Sequence, residues 1–161
     1  MGDQHPNYTR NESDAERLDR NYNEQLQELR VAETGVQILF AFLLGISFQQ
    51  RFASISDFLK TVYVITLIFT ALAAVMFIAP VAMHRAIFRK NKKDELVAYT
   101  AKLIAIGLVF LALSMLGALL LILDFVVHSF AAWIGTAVLA VVFGVFWYLL
   151  PIGMGRRLND S

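Results

Sequence analysis

No cysteine occurs among the 161 residues of this chain. Disulfides, thiolate nucleophiles and cysteine-ligated metals are therefore excluded. Charge is also scarce, at 17% of residues against about 25% in ordinary soluble domains. Three prolines leave few points at which a helix must break. The chain has no HExxH, GxSxG, Walker A or GxGxxG spacing, so the short motifs that hold zinc, a nucleophile or a phosphate are missing. The first 30 residues are polar and show no basic start followed by a short apolar core. A secretory signal peptide is not expected there.

What the chain does have is long runs without charge. Residues 34–50, 61–83, 103–123 and 125–152 contain no Asp, Glu, Lys or Arg. Each supplies about 17 or more residues of helix, enough to cross a hydrocarbon core of about 30 Å. With hydrophobic residues at 58%, too little polar chain is left to bury four such helices in a soluble core. The runs predict an all-α integral membrane protein with four transmembrane helices.

The polar segments place the boundaries. Residues 1–12 read as a disordered tail. Ser13 and Glu16 have capping-box spacing, and Glu16 to Arg20 is an i,i+4 ion pair. Leu18, Tyr22, Leu26 and Leu29 form an apolar stripe. Glu33, Gln37, Phe40 and Leu44 continue that face into the membrane. One long helix over about 14–50 is therefore expected, with a surface-lying amphipathic segment as the alternative. Further helices are expected over about 58–84, 96–125 and 130–151. Ser56 or Asp57 caps the second, Pro80 kinks it near its end, and Pro151 stops the fourth. Together they form one domain over 13–155, followed by a tail, 156–161.

Twelve of the fourteen Lys and Arg residues fall in the N-terminal segment, the central connection, the start of helix three or the C-terminal tail. Only Arg51 and Lys60 fall elsewhere. Four spans with both termini in the cytoplasm of a bacterial inner or plasma membrane satisfy the positive-inside rule. Trp133, Trp147 and Tyr148 then lie near the two ends of helix four, where interfacial aromatics belong. The basic connection around Arg85–Lys93 faces anionic lipid rather than nucleic acid.

Few polar side chains enter the spans. Glu33, His84, Arg85 and Lys102 are expected at similar depth just inside the cytoplasmic boundary. There Glu33 can pair with Arg85 or Lys102 to tie helices together, or the group can handle a proton or cation. Gln37 lies one turn deeper. Asp124 and His128, at i,i+4 near the outer face, are either a turn cap or a pH-responsive pair. They cannot make a zinc site, which needs at least three protein ligands, because His5 belongs to the tail. No acidic run crosses the midplane, where coupled transporters bind their ions. No cofactor is implied.

Small residues recur at helical steps: Thr66, Thr70 and Ala74; Gly107, Ser114 and Ala118; Thr136, Ala140 and Gly144. Such faces allow close helix packing and make a homo-oligomer, or a complex with a larger membrane protein, the natural expectation.

The segment Asn23–Leu44 (NEQLQELRVAETGVQILFAFLL) and the stretch Ile78–Phe88 (IAPVAMHRAIF) resemble the landmarks of a family of small, uncharacterised membrane proteins common in actinobacteria. The resemblance covers about residues 18–155. It implies the four-helix fold and marks Glu28, Arg30, Glu33, Gly35, Gln37, Pro80, His84 and Arg85 as signature positions, with Gln often replacing Glu33. Members are sometimes labelled sodium:proton antiporters, a label at odds with the absence of a midplane carboxylate.

The leading expectation is a non-enzymatic oligomeric scaffold or accessory subunit. The alternative is an oligomeric ion channel or proton/cation-linked transporter with helix one lining the path. An enzyme acting on lipid comes third, since Asp124 and His128 are too small a cluster. If Glu28, Arg30, His84 and Arg85 lock helix one to the end of helix two, Arg85→Ala will lower detergent stability more than Lys92→Ala. Equal losses would contradict that lock.

Overall fold

A computed structural model describes residues 14–87, 93–127, 130–151 and 153–154. The sequence-predicted tails and most of the central connection lie outside the described residues. Four helices make up the fold. They are α1 (Asp14–Ser47), α2 (Asp57–Ile87), α3 (Lys93–Val127) and α4 (Ala131–Phe143). A 3-10 turn, Gln50–Ser54, joins α1 to α2, and a π-helical turn, Gly144–Leu149, extends α4.

The expected helix boundaries hold to within a few residues. The long first helix is continuous, as expected, but stops three residues early. Gln49 turns extended (φ −72°, ψ 132°), and the Ser47 hydroxyl donates back to the Leu44 carbonyl at 2.7 Å. Ser56 caps α2, its hydroxyl accepting from the Leu59 amide at 3.3 Å. Asp57 instead pairs with Lys60 at 3.0 Å. α2 runs on past Pro80 to Ile87, three residues beyond the expected end. The Pro80 ring is buried and its carbonyl accepts from the Tyr22 hydroxyl at 3.5 Å. Neighbouring helices of this kind are what make proline tolerable within a membrane span. Pro151 is likewise still helical. The π turn sits directly before it, with the Leu150 amide donating to the Val145 carbonyl. A widened turn at that point gives room to a ring that otherwise crowds the carbonyl four residues back.

The core is the α2–α3 pair, which makes the most extensive contact; α1 lies against both, and α4 lies against α3. The buried residues of α2 are Leu59, Tyr63, Thr66, Thr70, Ala73, Phe77 and Pro80. They step by four and three in strict alternation. On α3 they include Thr100, Gly107, Leu111, Ser114, Ala118 and Leu121, and on α1 Leu29, Val36 and Leu43. A 3.5-residue period on three helices is the signature of left-handed, knobs-into-holes packing. The α2 seam therefore passes through Ala73, and Ala74 of the expected small face is half-buried.

Glycines set the closest approaches. A Cβ on Gly107 would overlap the Phe77 ring, and one on Gly117 would overlap the Thr66 hydroxyl. Three buried hydroxyls satisfy themselves on their own helices. Thr66 donates to the Val62 carbonyl at 2.7 Å, Thr70 to Thr66 at 2.8 Å and Ser114 to Phe110 at 2.8 Å. They fill the seam as small side chains and link no two helices.

α4 is different. Ala132 is its only buried residue among those described. Gly135 meets Leu123 of α3, where a Cβ would come within 2.9 Å of Cδ1. The Trp133 ring lies 5.8 Å from that of Phe58. Further along, Ala140 is exposed and nothing approaches the Cβ position of Gly144 within 4 Å. Of the third small face expected from the sequence, Thr136 is half-buried, while Ala140 and Gly144 are left open among the described residues.

Gly107→Val will force Phe77 aside and lower stability by about 1–3 kcal/mol, the range for overpacked cores. The double variant Gly107→Val/Phe77→Ala will lose less than the sum of the two single variants. Thermal unfolding in detergent measures both; additive losses would show that the ring does not rest on this glycine.

Candidate functional site on the first helix

Two tyrosines tie α1 to α2. Tyr63, buried, donates from its hydroxyl to the Leu43 carbonyl at 3.2 Å, and Tyr22 donates to Pro80 at the other end. These ties fix the antiparallel register of the two helices. Glu33 is eleven residues from Tyr22 and ten from Leu43, so it lies level with the middle of the charge-free run 61–83. The packing agrees, since Leu29 and Val36, the buried residues on either side of Glu33, share a cluster with Ala73, Phe77 and Leu111. The charge-free run of α3, 103–123, lies alongside that of α2 through the Phe77–Gly107 and Thr66–Gly117 contacts.

Glu33 therefore sits level with the middle of the charge-free run of α2, about 16 Å of helix rise from each of the two tyrosine ties. The sequence reading placed Glu33 just inside the cytoplasmic boundary, beside His84, Arg85 and Lys102. That reading took depth from where the charge-free run of α1 begins. In the fold, α1 is shifted along its neighbours, and its polar half lies beside apolar parts of α2 and α3. Lys102 is nine residues from Leu111, about 13 Å along α3, and is exposed with its ammonium 5.9 Å from the Tyr99 ring centre. The structure does not bring Glu33 and Lys102 together. The side chains of His84 and Arg85 lie outside the described residues.

The inward face of α1 also differs by a residue from the expected stripe. Val36 and Leu43 point into the bundle, while Glu33 is half-buried and Gln37 exposed. At 100° per residue, Arg30, Glu33 and Gln37 fall within about 60° of one another and form one polar strip. Among the described residues, none of their three side chains makes a hydrogen bond or an ion pair. Gln37 forms one lip of a groove of about 350 Å³, floored by Val36 and Phe40 and walled across by Ala71 and Ala74 of α2. The polar strip thus borders an apolar groove at mid-span.

At the end where α1 joins α2, Asp124 is half-buried and His128 lies outside the described residues. The Arg51 guanidinium stacks over the neighbouring Phe125 ring, 4.6 Å from its centre, a cation–π contact. Beneath it is an apolar pocket of about 100 Å³ lined by Ile46, Phe52, Leu59 and Leu121, among others. Among the described residues no three His, Asp or Glu side chains group to hold a metal ion.

Sequence reasoning missed four residues. Tyr63 and Tyr22 set the register, yet a tyrosine among apolar residues gives no hint of its partner. Gln25 and Thr100 each bury an oxygen that has no hydrogen-bond partner among the described residues. Gln25 falls on the inward side of the α1 stripe, and that wheel position was a usable signal.

The helices supply spans Asp19–Ser47, Asp57–Met83, Leu96–Val127 and Ala131–Leu149, each long and apolar enough to cross a membrane. That architecture is the one expected of a multi-pass membrane protein. The model of the family of unknown function DUF6328 matches residues 11–151, and the chain belongs to that family. No curated protein and no solved structure matches the chain.

The depth of Glu33 is directly measurable. A nitroxide attached at Thr34→Cys will report the same immersion depth as one at Ala71→Cys on α2. It will lie deeper than one at Tyr99→Cys on α3. All three native residues are exposed, so labelling leaves the seams intact. Equal depth at Thr34 and Tyr99 would overturn the register.

Proposed function

We propose that this protein is a non-enzymatic membrane subunit, a self-assembling scaffold or accessory component of a larger complex. One observation carries the proposal: level with the middle of α2, Arg30 and Gln37 are exposed and Glu33 is only half-buried, and no described residue pairs with any of the three side chains. Charged groups in hydrocarbon are costly by at least about 2.5 kcal/mol each and normally face protein or water. A chain that exposes such a face has been selected with something against it. The free small face of α4 adds a second contact surface. The distribution of Lys and Arg supports a reading with both termini cytoplasmic and the basic connection on the anionic headgroups of a bacterial inner membrane.

A second reading is an oligomeric channel or a proton- or cation-linked transporter with α1 along the path. What favours it is Glu33 itself, a carboxylate at the depth where transporters place their coupling sites, with the Gln37 amide one turn away. The mid-span position removes the objection raised by a sequence with no evident midplane acid.

Native mass determination of the protein extracted gently from its own membrane tests the first reading. The expected species is a defined multiple of 18.1 kDa or a stoichiometric complex with another membrane protein. A lone 18.1 kDa chain would overturn it. Vesicle flux that is abolished by Glu33→Gln would establish the second reading instead.

A further inference from the structure

The strip on α1 is self-complementary. Two copies inserted in the same direction hold each residue at the same depth, so a two-fold axis along the membrane normal brings α1 against α1 in parallel. Arg30 then lies one turn from the partner's Glu33, a rise of about 4.5 Å that a guanidinium spans. The reverse pair forms by symmetry, as in any isologous contact. Gln37 meets its own counterpart, and two amides at one level can each donate and accept.

The backbone surface along the strip suits a close partner. Gln37, Ala41 and Gly45 follow at steps of four, Thr34 lies beside them, and all four are exposed. Nothing approaches the Cβ position of Gly45 within 4 Å. Across the groove, Ala71 and Ala74 are equally small. Small residues flanking a polar group are the recurring composition of helix interfaces in membranes.

Other ways of satisfying the strip fail on geometry. Glu33 is too deep for its short side chain to reach headgroups, since snorkelling needs the long stems of Lys or Arg. α2 and α3 carry no charge at that depth. α4 packs chiefly on α3, whereas α1 packs chiefly on α2 and α3.

We propose that the Arg30–Glu33–Gln37 strip of α1 is the contact with a second copy of this chain, packed in parallel and joined by reciprocal Arg30–Glu33 ion pairs. This rests on the assembly proposed above and names its surface.

The lack of native cysteine makes the test clean. Single-cysteine variants Thr34→Cys and Ala41→Cys, oxidised in native membranes, are expected to give a disulfide-linked dimer. Phe42→Cys on another face of α1 and Val138→Cys on α4 are expected to give none, because a disulfide needs Cα atoms within about 7 Å. In the Ala41→Cys background, Arg30→Glu or Glu33→Arg alone will lose the dimer, and Arg30→Glu/Glu33→Arg together will regain it. Recovery by the double variant separates lost pairing from failed folding. Cross-linking at Val138 with none at Thr34 or Ala41 would overturn the strip as the contact while leaving assembly intact. A cross-linked product of any mass other than twice the chain would overturn the second copy as the occupant. Failure of the double variant to recover would overturn the reciprocal pairs.

Discussion

Phe77 of α2 rests where α3 has no side chain, at Gly107, and three turns further along Thr66 rests on Gly117. These two contacts set how close α2 and α3 come and how they are aligned. The rest of the bundle is assembled on that pair. α1 occupies the channel between the two helices, and α4 leans on the back of α3. In a bilayer no hydrophobic effect draws apolar helices together, so shape must do it. A glycine facing a bulky ring gives dispersion contacts along the whole seam. The hydroxyls of Thr66, Thr70 and Ser114 are satisfied within their own helices. They add small volume without requiring a partner.

The alignment of α1 follows from that pair and has consequences for function. α1 has fewer apolar residues than its neighbours, and the Tyr22 and Tyr63 ties hold it so that its polar half runs beside apolar helix. A helix free to choose its depth would slide until its charges reached water. Packing of Leu29, Val36 and Leu43 into the α2–α3 channel prevents this. The result is a carboxylate, a guanidinium and an amide held at mid-span. Whether they pair with another copy or face a water-filled path, the same residues are involved. Assembly and ion passage are therefore neighbouring readings of one feature.

α4 contributes little to the bundle. Its one buried residue among those described is Ala132, and its contacts gather near the end where it meets α3. Beyond Phe143 it widens into a π turn in which Phe143 and Trp147 stack edge to face, 4.8 Å between centres. A helix so loosely held contributes most of its surface to lipid or to a neighbour. That sets it apart from α2 and α3, whose Thr66, Thr70, Gly107 and Ser114 are buried against each other's helices.

Much of this was legible in the residues alone. Four charge-free runs implied four spans because backbone polar groups in hydrocarbon can be satisfied only within a helix or a closed barrel, and run length sets span length. The small face of Gly107, Ser114 and Ala118 was readable for the same reason, since only small residues let helices touch. Of the polar strip, Glu33 and Gln37 were legible as one face, while Arg30 was grouped instead with Glu28, His84 and Arg85. The depth of the strip was not legible, because depth depends on how α1 is aligned against helices far away in sequence. Two tyrosine hydroxyls and a row of interdigitated side chains decide that alignment, and neither is a local property of α1. The sequence by itself determined the number, length and apolar character of the helices. Only the tertiary structure decided that Glu33 lies level with the middle of the charge-free run of α2, because side-chain packing between helices, and not the local sequence of α1, sets their alignment.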